Sequence, residues 1–161
     1  MSWPIIIIDS SDYTGKTTLA NSLMNEYRNH VYIHCGVCPD IYSLHTTALY
    51  NAVNLSKEFT VIIDRLHYSE LVYGTVFRNG SSYNVYEFDK HMNGIDNLYK
   101  VMCLPPKDIV MNGFKNRAKN GGEMFDTVEK VYDMYAENPL GWKTYDWTKG
   151  EKFDLKNYKV K

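Results

Sequence analysis

The stretch Pro4-Ile5-Ile6-Ile7-Ile8-Asp9-Ser10-Ser11-Asp12-Tyr13-Thr14-Gly15-Lys16-Thr17-Thr18 decides how the rest of the chain is read. Four consecutive isoleucines, with no polar residue between them, describe a strand buried on both faces. A Ser/Asp/Thr/Gly loop follows. Leu19, Ala20, Leu23, Met24 and Tyr27 then recur at helical spacing after Lys16. A buried strand, a loop closing on Gly-Lys-Thr and a helix is the context a phosphate-binding loop requires. Its backbone N–H groups and the helix N-terminus form a ready anion site. Ser11, Thr14, Gly15, Lys16, Thr17 and Thr18 are therefore the expected ATP contacts. Lys16 is expected to reach the β- and γ-phosphates, and the Thr17 hydroxyl to ligate Mg²⁺. Two positions depart from the usual glycines. Ser10 is small enough to be tolerated, but Tyr13 is uncomfortable if its position requires positive φ.

Working outward, Phe59 to Asp64 closely repeats the first strand, and shorter apolar runs at 30–35, 98–104 and 142–148 read as further strands. Helical periodicity covers 41–55, with Ile41, Leu44, Ala48 and Val53 inward, then 67–77, 83–95 and 107–119. A last helix carries Met124, Phe125, Val128, Val131, Tyr132 and Tyr135 on one stripe and closes at Asn138-Pro139; the tail beyond 148 is polar. Strands separated by helix-length crossovers predict an α/β fold: a three-layer P-loop NTPase architecture with a five-stranded parallel sheet and helices on both faces. The expected organisation is one domain over 1–161. In such sheets ligands bind at the carboxyl ends of the strands. Asp64 and Arg65 stand at one such end. The Asp can serve Mg²⁺ or accept a proton, and the Arg can clamp a substrate phosphate; an ordinary surface ion pair has the same spacing.

Composition bounds the function. The 161 residues are 44% hydrophobic and 23% charged, with 18 Lys+Arg against 19 Asp+Glu and a net charge of −1. That balance argues against a broadly basic nucleic-acid binder. The longest aliphatic run, Ile5 to Ile8, is far short of the ~20 residues of a membrane span. No leader pattern is expected, and three cysteines fit a reducing, cytoplasmic location. Cys35-Gly36-Val37-Cys38 lacks a second pair and reads as inert thiols rather than a redox or zinc site. The chain has four arginines, Arg28, Arg65, Arg78 and Arg117. An arginine fork suits two-point phosphate recognition.

Here the chain resembles the thymidylate kinase family of nucleoside-monophosphate kinases. Asp9 and Asp12 match the family's phosphate-loop acids, and Asp64-Arg65 with Ser69 matches its Asp-Arg-x-x-x-Ser motif. Tyr73 falls where the family carries a tyrosine beside the sugar. Arg117, Gly121, Gly122, Phe125 and Asp126, with Val131 and Tyr135, resemble the lid and the helix after it, placing the lid at about 115–126. The chain's brevity looks most like the virus-encoded deoxynucleotide kinases.

The resemblance implies roles. Asp12 would contact the sugar 3′-hydroxyl or the magnesium shell, and Asp64 would support Mg²⁺ through water. Arg65 would hold the acceptor monophosphate. Tyr73 would pack where a 2′-hydroxyl would sit. Arg117 would swing from the lid onto the transferring phosphoryl group. Ser69, Phe77 and Arg78 complete the expected substrate side. The family's arginine motif after the second strand and the arginine on the helix before Asp-Arg are both missing, which makes Arg78 a candidate replacement. Glu70 stands after Ser69, where a carboxylate reads a base edge differently from an amide.

The reading that follows is a kinase transferring the γ-phosphoryl group of Mg-ATP to a deoxynucleoside monophosphate. Small nucleotides would be its partners, with no membrane and no stable nucleic-acid binding. A homodimer is the family's common assembly. The alternatives are a nucleoside or polynucleotide 5′-hydroxyl kinase, with Asp12 or Asp64 as base, and a non-catalytic nucleotide switch. The switch leaves Arg65 and the Arg117 lid without a task.

Overall fold

The computed structural model describes residues 1–117 and 125–161. Gly121, Gly122, Met124 and most of the expected lid lie outside the described residues, as does the expected end of the helix at Lys119. Among the described residues five parallel strands form one sheet: β1 (Ile5–Asp9), β2 (His30–His34), β3 (Thr60–Asp64), β4 (Leu98–Cys103) and β5 (Thr144–Tyr145), in the order β2-β3-β1-β4-β5. The helices are α1 (Lys16–Glu26), α2 (Ile41–Leu55), α3 (His67–Arg78), α4 (Val85–Met92), α5 (Lys107–Arg117) and α6 (Phe125–Glu137).

The isoleucine run is apolar throughout because both faces of the sheet are covered. Alternate residues of a strand point to opposite faces. Ile5 and Ile7 join Val61, Ile63, Leu98 and Met102 against Ala48, Ala52, Val72, Val131 and Tyr135 of the helices on one side. Ile6 and Ile8 join Ile62, Val101 and Cys103 against Leu19, Ala20 and Leu23 of α1 on the other. A smaller cluster, Val110, Met111, Phe114, Val128 and Tyr132, joins α5 to α6. Register sets β1, β2 and β3 level at their carboxyl ends, with Ile8 beside Asp64 and Asp64 beside His34.

Four expectations are corrected. The inner stripe of α2 is Ile41, His45, Ala48 and Ala52, while Val53 is 39% exposed, because the helix turns a buried histidine inward. The expected strand 142–148 is reduced to Thr144–Tyr145. Asp146 accepts from the Thr148 N–H at 3.0 Å and turns Trp147–Lys149 into a 3-10 helix. The tail is also more than polar: Phe153, Leu155 and Tyr158 pack on the Ile6–Ile8 face, and the Val160 N–H donates to the Leu98 carbonyl at 3.0 Å. The expected 83–95 helix is shorter, Val85–Met92, and Asn84 caps it.

Candidate functional site

Two aspartates end adjacent strands. Asp9, fully buried at the end of β1, accepts four hydrogen bonds: from the Leu66 N–H at 3.0 Å, the Ser69 N–H at 3.1 Å, the Ser69 hydroxyl at 2.6 Å and the Tyr135 hydroxyl at 2.7 Å. The first turn of a helix has N–H groups without intrahelical partners. Asp9 satisfies two of these for α3 from a different strand. Ser69 therefore lines the neighbouring cavity with its hydroxyl already bonded to Asp9.

Asp64 ends β3 among different partners. Its Oδ1 accepts from Lys16 Nζ at 2.5 Å, and its Oδ2 accepts from the Tyr32 hydroxyl at 2.5 Å and lies 3.2 Å from His34 Nδ1. Burial pushes the Asp64 carboxyl up, but the bonds from Lys16 and Tyr32 outweigh it and hold the group below its ordinary value. Tyr32 and His34, two residues apart on edge strand β2, face it together. Neither was singled out in the sequence; the signal was their alternation on a strand level with Asp64.

The phosphate loop has the expected strand and helix around it. Gly15 adopts φ +85°, and a Cβ there would come within 2.7 Å of Trp147 Nε1. The same indole N–H donates to the Thr14 carbonyl at 2.9 Å. The Thr14 hydroxyl donates to the Ser11 carbonyl at 2.9 Å and lies 2.5 Å from the Ser10 hydroxyl, so the serine in place of a glycine is used within the loop. Tyr13 does take positive φ, 62°, a rare conformation for a bulky residue. Its ring packs edge-on against Phe114, with centroids 5.7 Å apart, and its Cβ lies 3.4 Å from where a side chain at Gly113 would begin. The Arg117 guanidinium sits 5.5 Å from the centroid of that ring. Thr17 and Thr18 are exposed beside a small cavity of about 60 Å³ enclosed by Ser11 to Thr17.

On one side of the loop a groove of about 420 Å³ runs between α1 and the segment after β5, lined by Gly15, Thr18, Leu19, Tyr145, Trp147 and Phe153. On the other side lies a cavity of about 540 Å³. Arg65, also at positive φ (68°), reaches across to pair with Asp12, and its guanidinium lies 5.2 Å from the Tyr73 ring centroid. Burial works against the charged guanidinium, and the surrounding tyrosines with Asp12 and Asp9 outweigh it. Tyr73 stacks on Phe77, centroids 6.0 Å apart and 5° from parallel. Asp12, Arg65, Ser69, Tyr73, Phe77 and Arg78 all line this cavity, so the residues assigned from sequence to the substrate side do come together.

His45 closes the cavity's inner wall, its Nδ1 2.7 Å from the Tyr83 hydroxyl, and burial drives its pKa down to about 4. The thiol of Cys35, also in the wall, is pushed up to about 12 by burial first and then by Asp9 and Asp64. That suits an inert thiol.

The donor set for a metal here is hard oxygen: the Thr17 hydroxyl and the Asp64 carboxylate. Among the described residues no group of three His, Cys, Asp or Glu could hold an ion by itself. A hydroxyl and a carboxylate are donors that suit Mg²⁺, which keeps several waters and is bound through one or two carboxylates plus substrate phosphates. No described helix is long and apolar enough to cross a membrane.

No protein-family model matches the sequence, and no curated protein matches it either. Solved structures do. The chain is similar to the Bacillus subtilis YorR protein in complex with phosphorylated GDP, at 24% identity and TM-score 0.64 over 91% of this chain and 86% of that one. It is similar to thymidylate kinase from Candida albicans, at 14% identity and TM-score 0.55 over 91% and 84%. It is also similar to deoxyadenosine kinase from M. mycoides, at 14% identity and TM-score 0.53 over 94% and 93%. These likenesses show the fold: the α/β architecture expected from the sequence, a five-stranded parallel sheet with helices, as in these neighbours.

Proposed function

We propose that this chain is a nucleotide kinase that transfers the γ-phosphoryl group of Mg-ATP to a deoxynucleoside monophosphate. The observation that carries this reading is the cavity beside the phosphate loop. Arg65 and Asp12 form its border with the loop, so an acceptor phosphate held by Arg65 would lie next to the γ-phosphate held by Lys16. The groove against Trp147 suits the donor base, and the small enclosure of Ser11 to Thr17 suits the donor phosphates. Bound Mg²⁺ would neutralise phosphate charge, held by Thr17 and, through water, by Asp64.

Lys16 exchanges its bond to Asp64 for the donor phosphates, and Arg65 exchanges Asp12 for the acceptor phosphate. Both cations are thus kept aligned by carboxylates until substrate arrives. Arg117, which rests over Tyr13 of the loop, would move from there onto the transferring group. Tyr73, stacked on Phe77 beneath Arg65, packs against the sugar and disfavours a 2′-hydroxyl. Positioning and charge neutralisation carry most of such a reaction, and an acceptor that is already an anion needs no general base.

One contact favours a second reading, transfer to a nucleoside or polynucleotide 5′-hydroxyl. His34 stands in the acceptor cavity with its Nδ1 on Asp64, as a proton acceptor for a hydroxyl would. One experiment separates the readings. The protein is incubated with Mg-ATP and a panel of nucleosides, oligonucleotides and monophosphates, and ADP is measured. ADP that depends on a monophosphate supports the first reading. ADP that depends on a nucleoside or oligonucleotide replaces it with the second. Slow hydrolysis indifferent to every acceptor leaves a nucleotide-binding switch.

A further inference from the structure

The acceptor cavity has a second polar end that the phosphate chemistry leaves unused. Glu70 stands in the first turn of α3 and, like Arg65 and Arg78, lines this cavity. Its side chain is 3% exposed. Oε1 accepts from the Ser82 N–H at 2.7 Å and the Ser82 hydroxyl at 2.9 Å, and Oε2 accepts from Arg78 Nη2 at 2.5 Å. The turn carrying Ser82 is pressed onto α3 at Gly74, where a Cβ would meet the Gly80 carbonyl oxygen at 2.8 Å. The acid is thus fixed in place, while Arg78 keeps 45% of its side chain exposed at the cavity. Arg65, Tyr73, Glu70 and Arg78 line one cavity, so a nucleoside monophosphate whose phosphate is held by Arg65 would bring its base to Glu70 and Arg78.

A carboxylate only accepts hydrogen bonds, and each oxygen has more than one lone-pair site. Oε1 is filled by Ser82, whereas Oε2 has Arg78 as its protein partner among the described residues. A base meeting this edge must bring a donor to Oε2, an adjacent acceptor for the Arg78 guanidinium, and no acceptor on the other side, where it would face Oε1. Bases with an exocyclic amino group do so: the amino N–H faces the acid, and the neighbouring ring nitrogen or carbonyl faces Arg78. Guanine offers its N1–H and amino donors next to O6. In thymine and uracil the pairing-edge N–H lies between two carbonyls, so a carboxylate aimed at it meets oxygen lone pairs on either side.

Resting on the acceptor assignment proposed above, we infer that Glu70 and Arg78 read the acceptor base and select amino-bearing bases over thymine and uracil. A fixed acceptor discriminates against a base that sets its own carbonyl lone pairs against it.

The test is equilibrium binding of dCMP, dAMP, dGMP and dTMP to the whole chain by titration calorimetry without ATP, alongside the ADP assay. At least one amino-bearing monophosphate is expected to bind more than about tenfold tighter than dTMP. Glu70→Gln, whose amide can donate to a carbonyl, is expected to shift that ratio toward dTMP by about tenfold or more. Arg78→Gln changes a half-exposed side chain with little risk to folding, and is expected to weaken the favoured monophosphate while leaving dTMP nearly unchanged. Equal or tighter dTMP binding, or ratios unmoved by both variants, overturns this inference and leaves the kinase reading standing. Selective binding without monophosphate-dependent ADP upholds the base selection and overturns the kinase reading. Binding of no monophosphate overturns both.

Discussion

Asp9 and Asp64 end two neighbouring strands of nearly the same sequence, Ile-Ile-Ile-Ile-Asp and Thr-Val-Ile-Ile-Asp, yet they live in different electrostatic worlds. Asp9 is surrounded by neutral donors, two backbone amides and two hydroxyls, which tie β1 to α3 and α6. Asp64 faces a lysine, a tyrosine and a histidine at the mouth of the phosphate loop. A carboxylate satisfied by neutral groups holds a fold together. One that shares its charge with a movable cation is ready to exchange it for a ligand. The strands do not decide which is which; what lies across from their ends does.

The sharpest way to break this contrast is Lys16→Ala. Turnover with Mg-ATP and the accepted monophosphate is expected to fall by about 10²–10³-fold or more, as when one preorganised transition-state donor is lost. Turnover near wild type would take the phosphate loop, and Asp64 with it, out of the mechanism. Asp64→Asn keeps the shape and is expected to lower turnover by about 10²-fold.

Acid titration probes the other carboxylate. Asp9 pulls the pKa of His45 upward, but burial wins and leaves it at about 4, so the histidine is neutral in the fold. Its unfolded value is near 6.5, so between those two pH values the unfolded chain binds a proton that the folded chain does not. This contribution to stability is complete above about pH 6.5 and is lost as pH falls toward 4, by up to about 3 kcal/mol. Denaturant midpoints across that window should show the slope, and His45→Gln should flatten it. An unchanged slope would mean that the histidine is charged in the fold.

Asp9→Asn is the smaller mirror of Asp64→Asn. The Ser69 and Tyr135 hydroxyls can turn to accept from an amide, so the expected cost is about 1–3 kcal/mol of stability, with turnover per folded molecule nearly kept. Loss of turnover at an unchanged midpoint would erase the distinction between the two acids. The smallest effect is expected from Tyr73→Ala, which should narrow the preference for deoxy- over ribonucleotides by about tenfold, or ~1.4 kcal/mol. An unaltered ratio would remove the tyrosine from sugar selection.

The site was legible in the sequence wherever its chemistry is local. The phosphate loop needs consecutive residues, and Asp64-Arg65-x-x-x-Ser69 lies on one strand end and one helical turn. Even the discomfort of Tyr13 could be read, because positive φ is a property of one residue. The pairings between elements were not legible. Nothing along the chain announces that Arg65 will meet Asp12, that Tyr32 and His34 will converge on Asp64, or that Arg78 will be fastened to Glu70, since each depends on strand order and helix rotation.

The misread elements fail for a related reason. His45 faces inward because Tyr83 supplies its partner, which shifts the stripe of α2 away from Val53. Trp142 to Thr148 has the composition of a strand until Asp146 caps a turn within it. The apolar residues of the tail, Phe153, Leu155 and Tyr158, are too widely spaced among lysines and acids to read as core, yet they cover one face of the sheet.

Trp147 leaves the molecule with an optical property. The three tryptophans occupy three distinct settings: Trp3 is 46% exposed, Trp142 is buried against His67 and Tyr68, and Trp147 rests on Gly15 with its indole N–H on the Thr14 carbonyl. Indole emission follows the polarity and hydrogen bonding of its surroundings, so one of the three emitters is wired directly to the phosphate loop. A rearrangement of Thr14 and Gly15 is expected to change the colour or intensity of that emitter, which would make it a light-based gauge of loop occupancy with no label attached.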